Sequence, residues 1–428
     1  MSSASKFSFS TFRSLGRRFA FLFTAGVLSD IGGFTTFTAL ILHVYNLTHK
    51  NTAFMGLTVL AHLVPFTLAA PLGGILAERF DRRKIMITLD LVRLPLVLLF
   101  MISNNVWAIL GIQSLLSGAT AAFNPSRQAI IPEVVPAEKI HLANSVNGGI
   151  ISVVHVLGPP LGAVLYGLTQ SMTWIVIINA STYAASAILL FMLPYARLQT
   201  GEKSSAPFFR AVWEGFDYVR GEKDLFTIQL TLILSNSTLG LMFPLLRPFI
   251  DQVLHGRDET YGMVIAVFGF GGLVGPLLGY VAGKRLGLGR TILTAFYIEA
   301  VLFIIWTRVP LIWLSCVVLF VWGINVFMMI PCYLSYVHTY AKPEFMGRTF
   351  ALFDQSIFMP QIVGAGIVAA LGNEIPTQNI LTTAGVIYLV IVLLMSRRDG
   401  ARLLRSRRGE QGSKNEPISE RILLDGET

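Results

Sequence analysis

Six ionisable side chains fall inside otherwise apolar stretches: Asp30, Asp90, Arg93, Arg247, Glu299 and Asp354. A charge at the centre of a bilayer costs at least roughly 2.5–3.5 kcal/mol, so each must be satisfied by a partner or put to use. The chemistry open to a carboxylate there is proton exchange, or electrostatic capture of a cationic group. Asp30 is the leading candidate for such a role. It lies near the middle of its apolar stretch, beside Gly32 and Gly33, and its alternative reading is a structural hydrogen bond to a neighbouring helix. Glu299 and Asp354 complete the candidates for proton coupling or substrate charge, Glu299 with a structural partner as its first expectation. Asp90 and Arg93 are three residues apart, share one helix face and can pair with each other. Arg247 can snorkel or pair with Asp251.

Other chemistries lack their residues. His62 and His155 are isolated on apolar stretches, the setting of neutral hydrogen-bond partners. No pair of side chains has metal-ligand spacing, no glycine-rich lysine loop cradles a phosphate, and no nucleophile–base arrangement stands out. The sequence therefore implies no enzyme, no metal, no cofactor and no ATP-driven pump. Cys316 and Cys332 share one expected helix, roughly 24 Å apart along its axis, and form no disulfide.

The elements that must position these residues are long and apolar. Of the 428 residues, 54% are hydrophobic and 13% charged, where a soluble domain has about a quarter charged. Stretches long enough to span a bilayer cover 19–46, 52–77, 85–103, 106–126, 140–168 and 172–194, then 225–250, 260–283, 290–307, 310–340, 349–371 and 378–396. The expected fold is an all-α membrane protein of twelve transmembrane helices in two six-helix halves, 19–194 and 225–396. Residues 1–18 read as a cytoplasmic leader, 195–224 as a cytoplasmic linker and 397–428 as a cytoplasmic tail. Within the linker, Phe209, Val212, Trp213 and Phe216 recur at helical spacing, which predicts an amphipathic helix at the membrane surface.

Charge fixes the expected orientation. With both termini in the cytoplasm, 28 of the 33 Lys and Arg fall on that side and only Lys50, Arg257 and Arg308 on the other, with Arg93 and Arg247 inside apolar stretches. The net charge of +9 is thus spent on topology, in short clusters, and does not form the basic face of a nucleic-acid binder.

The halves also echo each other. Pro71-Leu-Gly-Gly74 matches Pro276-Leu-Leu-Gly279 at an offset of 205, and Pro125 matches Pro331 at 206. That period predicts parallel repeats related by an axis along the membrane normal.

Between the second and third stretches stands Gly73-Gly74-Ile-Leu-Ala77-Glu78-Arg79-Phe80-Asp81-Arg82-Arg83-Lys84. It resembles the Gly-x-x-x-Asp-Arg-x-Gly-Arg-Arg/Lys signature of the major facilitator superfamily. Gly74, Arg79, Arg82 and Arg83 match, Glu78 replaces the Asp, and Asp81 replaces the second Gly. The resemblance implies close helix packing at Gly74 and a cytoplasmic latch formed by Glu78, Arg79, Arg82 and Arg83, with Asp90 and Arg93 as its extension and a contact to the start of the eleventh helix. Gly158-Pro159-Pro160-Leu161-Gly162-Ala163 resembles the fifth-helix signature of the superfamily's exporters, in which Gly158, Pro159 and Gly162 pack and bend that helix. Asp90–Arg93, Phe123–Arg127 and Gly347–Ala351 resemble the bacterial macrolide and enterobactin exporter group. An Arg within the fourth helix, as many proton-coupled members carry, is not expected, because Arg127 falls at the cytoplasmic end of its stretch.

The resemblance implies a secondary transporter of a bacterial inner membrane that expels a small amphipathic organic compound in exchange for protons. Phe34, Phe37, Met242, Phe243, Phe327 and Met328 are the apolar residues expected to face its cavity, with membrane lipids around it and no nucleic-acid partner. The alternatives are an importer or lipid flippase of the same fold, or a non-transporting receptor or scaffold.

Overall fold

A computed structural model of the chain describes residues 14–194, 208–342 and 345–403. The first part of the expected linker and most of the tail lie outside them. The described fold is all helix. We number the helices α1 (Gly16–Leu47), α2 (Thr52–Arg79), α3 (Arg82–Leu98), α4 (Val106–Val134), α5 (Ile140–Thr169), α6 (Thr173–Met192), α7 (Phe208–Gly221), α8 (Lys223–Gln252), α9 (Asp258–Leu286), α10 (Leu288–Arg308), α11 (Ile312–Tyr340), α12 (Met346–Leu371) and α13 (Thr377–Leu403). Among the described residues nine of these are long and apolar enough to cross a bilayer. The apolar parts of α5 and α12, Val156–Thr169 and Gln355–Leu371, are shorter, and α3 is basic at its start. The amphipathic linker segment forms α7 and leaves Trp213 and Phe216 exposed.

Local chemistry sets several helix starts. The Asn51 side chain accepts from the amides of Ala53 and Phe54, and Asn105 from those of Trp107 and Ala108, as N-caps do. Asp81, which stands where the signature has its second Gly, caps α3 by accepting from the Lys84 amide at 2.9 Å. The substitution that removes a glycine thus supplies a helix cap.

Packing repeats between the halves. Helix α1 lies against α5 and α6, α2 against α4, and α3 against α4 and α6. Seven helices on, past the linker helix α7, α8 lies against α12 and α13, α9 against α11, and α10 against α11 and α13. Across the middle, α2 meets α12 and α5 meets α9, a pairing that the same exchange of halves maps onto itself. This recurrence is the structural form of the sequence repeat.

One packing assignment is corrected. A Cβ on Gly74 would meet nothing within 4 Å, whereas one on Gly73 would lie 2.6 Å from the Ala122 backbone of α4. Gly73 is therefore the residue that brings α2 and α4 together. Its counterpart is Gly279, where a Cβ would lie 2.6 Å from the Met328 carbonyl of α11. The structural offset is 206, the same as for Pro125 and Pro331.

Candidate functional site

A cavity of about 420 Å³ opens among α1, α2, α3, α4, α6 and α12. Its wall has two characters. One part is aromatic and neutral: Phe34, Phe37, His62, Phe66 and Phe358, with Gln113 and Ser117 beside them. Phe37 stacks on His62 with ring centroids 4.3 Å apart, and Phe66 meets Phe358 of the other half at 5.6 Å. Gln113 Nε2 lies 3.1 Å and Ser117 Oγ 3.2 Å from His62 Nδ1, so this histidine is held in the wall by neutral partners.

The other part is charged. Asp30 on α1 accepts a hydrogen bond from Arg127 Nη1 on α4 at 2.5 Å, with 15% and 9% of the two side chains exposed. Arg127 is not an end-of-helix residue, because α4 continues through Pro132 to Val134 and leaves seven more residues, about 10 Å of helix, beyond it. The expectation that the fourth helix lacks an internal arginine is corrected on this point. Gly26, one turn before Asp30, makes room for this arginine: a Cβ there would lie 3.0 Å from Arg127 Cδ. Arg127 Nε and Asn124 Oδ1 are buried with no hydrogen-bond partner among the described residues, and both belong to cavity-lining side chains.

Asp90 and Arg93 pair with each other on α3, fully buried. Ser186 donates to the second Asp90 oxygen at 2.7 Å. The Arg93 guanidinium lies between two rings, 4.4 Å from the centre of Phe123 and 4.6 Å from that of Tyr183, a double cation–π arrangement. Arg93 lines the cavity, eleven residues or about 16 Å of helix from Arg82, and so belongs to the cavity wall, with Asp90 eight residues from Arg82 as its partner.

The helix-5 signature supports the same wall from behind. A Cβ on Gly158 would lie 2.7 Å from Phe34 Cβ, and one on Gly162 would collide with the Thr35 carbonyl oxygen. Gly158 O accepts from Thr35 Oγ1 at 3.2 Å. These two glycines let α5 press α1 inward at Phe34.

The other candidates are placed elsewhere. Of the six apolar cavity residues, Phe34 and Phe37 line it. Met242 is 1% exposed in the core and Phe243 packs against that core. Phe327 and Met328 pack over Gly272, Gly275 and Gly279 of α9, away from the cavity. Glu299 is fully buried between α8, α10 and α13, accepting from Ser235 Oγ at 2.7 and 2.8 Å and from the Tyr388 hydroxyl at 3.0 Å. Asp354 lies on α12, with its side chain outside those described. In the loop, Arg82 bonds Glu133 at 2.5 Å and the Ala129 carbonyl at 2.8 Å, while Arg83 bonds the Leu190 and Phe191 carbonyls. These contacts tie α2–α3 to α4 and α6 of their own half.

The halves close on each other at one end. Tyr45 and Lys50 donate to Asp251, at 3.3 and 3.0 Å, and Asn46 and Gln170 donate to Asp258, at 3.3 and 3.5 Å. Arg247 holds Asp258 at 2.9 Å and Asp251 at 3.8 Å, with its guanidinium 4.8 Å from the Tyr45 ring. Asn51 and Asn373 complete the seam at 2.9 Å. Towards the opposite end Leu68, Leu72 and Ile75 of α2 are exposed.

The model of the Major Facilitator Superfamily matches residues 22–365. Macrolide efflux protein A of Streptococcus pyogenes is 22% identical over 366 residues, covering 82% of this chain and 89% of that protein. Multidrug resistance protein MdtG of Citrobacter koseri is 26% identical over 335 residues, covering 75% and 79%. Among solved structures, the nucleoside transporter NupG superposes with a TM-score of 0.73 at 11% identity, covering 89% of this chain and all of that one. The peptide transporter POT in complex with sulfate reaches 0.74 at 13%, covering 91% and 95%. At such identities the superpositions carry the fold.

Proposed function

The chain belongs to the Major Facilitator Superfamily, and from that premise we propose that this membrane transporter exports a small amphipathic organic compound in exchange for protons. The observation that carries the proposal is the Asp30–Arg127 pair in the cavity wall. A proton arriving on Asp30 cancels the charge that holds Arg127, and a cationic group of the substrate competes with Arg127 for the same carboxylate. Proton and substrate then exclude each other at one site, which is the requirement for exchange. The names of the efflux relatives favour the outward direction.

The substrate's apolar body would lie on Phe34, Phe37, Phe66 and Phe358, with its polar end toward Asp30. Helices α1–α6 and α8–α13, with the boundaries 19–194 and 225–396, would rock as two bodies about the cavity. With both termini cytoplasmic, as the distribution of basic residues favours, the seam at Asp251 and Asp258 closes the external side and the cavity faces the cytoplasm. The membrane would be a bacterial inner membrane. Glu78, Arg79, Arg82 and Arg83 would brace the cytoplasmic side of the first half through its movement, with Asp354 as a further cytoplasmic or cavity charge.

The deciding experiment is proton-driven efflux in liposomes at matched protein levels. Asp30→Asn keeps shape and hydrogen-bonding capacity and cannot ionise. It is expected to fold yet lose transport driven by a pH gradient. Full activity of this variant would end the proposal.

A further inference from the structure

We propose that a niche between α9 and α11, at the end opposite the seam, binds the phosphate of an anionic phospholipid. The niche has a volume of about 280 Å³ and is lined by Gly279, Tyr280, Gly283 and Lys284 on α9, Leu288 on α10, and Pro331, Cys332 and Ser335 on α11. That is room for far more than one water, at about 30 Å³ each.

The niche exists for a packing reason. Gly279 brings α9 against the α11 backbone, and one turn on Gly283 again presents no side chain, so a hollow remains between Leu288 and Ser335. Three of its side chains can donate to an anion: the Lys284 ammonium and the Tyr280 and Ser335 hydroxyls, while the Cys332 thiol is turned to the Gly279 carbonyl. Among the described residues none of these three groups has a hydrogen-bond partner, and no carboxylate lines the niche. Arg285 follows Lys284 directly. The site is therefore built to receive negative charge.

Its flank selects a lipid over a soluble anion. Tyr280 and Leu277 are each 71% exposed, and Leu273, Val281 and Leu334 continue the apolar surface alongside. This surface faces the bilayer in a helix of this hydropathy, so the phosphate on Lys284 would carry acyl chains that cover it. A choline headgroup would bring its own cation toward Lys284 and Arg285, so phosphatidylglycerol fits better than phosphatidylcholine. The proposal needs only the membrane fold and is independent of what the central cavity carries.

The test is retention of lipid by the purified full chain, counted by native mass spectrometry after exchange into defined lipid mixtures. Phosphatidylglycerol is expected to be retained over phosphatidylcholine. Lys284→Gln should lower that retention about fivefold, the effect of one cation at a lipid surface. Ser335→Leu, which fills the hollow from its exposed side, should lower it independently, and Arg308→Gln at the opposite end should leave it unchanged. Equal retention of the two lipids by the native chain, or unaltered phosphatidylglycerol retention in both niche variants, would overturn the proposal. So would inorganic phosphate at millimolar concentration raising the melting temperature as much as the lipid does, since the site would then belong to a free anion.

Discussion

Arg127 of α4 reaches across the cavity wall to Asp30 of α1, and the two atoms in contact are 2.5 Å apart. Each therefore satisfies a charge that the other would leave stranded. Removing one partner of a buried pair costs about 3–5 kcal/mol, while removing both is far milder. We expect Arg127→Gln to lower the melting temperature in detergent more than the double variant Asp30→Asn with Arg127→Gln. If the double variant is as unstable as the sum of the singles, the pair is not coupled.

What the sequence made legible, and what it did not, follows from one physical distinction. Hydropathy and charge register the solvent around each helix, so apolar stretches, loops and the repeat could be read from composition alone. Partners across space could not. The sequence places Arg127 at a helix end because the apolar stretch fades at Ser126, yet the α4 backbone continues past Pro132. The signal that would have found it is the arginine's own position, seven residues inside the helix once Val134 is taken as its end. Gly74 stands at the signature's spacing from Glu78, and only the neighbouring helix shows that the packed glycine is Gly73. Phe66, Phe358 and the His62 cluster carried no motif at all, since aromatic residues on apolar helices look alike until the wall that they share is known.

The glycine assignment is directly testable. Gly73→Ala must push α2 and α4 apart and should cost about 1–3 kcal/mol, whereas Gly74→Ala meets open space and should be neutral. Expression and thermal stability of the two variants decide it. Equal tolerance of both would show that the helices have slack at Gly73.

Glu299 invites a second separation. Its carboxyl is the acceptor for the hydroxyls of Ser235 and Tyr388, so Glu299→Ala leaves two buried donors unsatisfied, at about 1–3 kcal/mol each. Glu299→Gln retains an acceptor and should be close to the native chain in stability. If it is stable but loses transport driven by a pH gradient, Glu299 is a coupling residue; if it transports normally, its role is to hold α8 to α10 and α13.

Orientation can be read with reporter fusions. Those after Tyr195 and Ser396 are expected to report the cytoplasm and one after Asn105 the opposite side, because the basic loops lie with the first two. A signal from the outside at Ser396 would refute the arrangement.

The seam yields the last prediction. Among the described residues, four side-chain donors reach Asp251 or Asp258 from the other half, those of Tyr45, Asn46, Lys50 and Gln170, and Arg247 holds both carboxylates in place. The two are not equivalent. Lys50 is 61% exposed, so its pair with Asp251 contributes no more than about 1 kcal/mol and weakens with salt. Asp258 is buried, and Asp258→Asn loosens Asn46 and Gln170 together while leaving Arg247 without its closest partner. Asp258→Asn should therefore open the seam more than Asp251→Asn, and Lys50→Gln least. Spin labels on the exposed His49 and Glu374, with Cys316 and Cys332 replaced by Ala, would measure this as a separation across the seam. A loss of about 1.4 kcal/mol raises the ratio of open to closed forms tenfold, which is visible as a new long-distance population. If Asp258→Asn and the double variant with Asp251→Asn both keep the native distance, closure at this end rests on the α2–α12 and α5–α9 backbone contacts and not on the carboxylates.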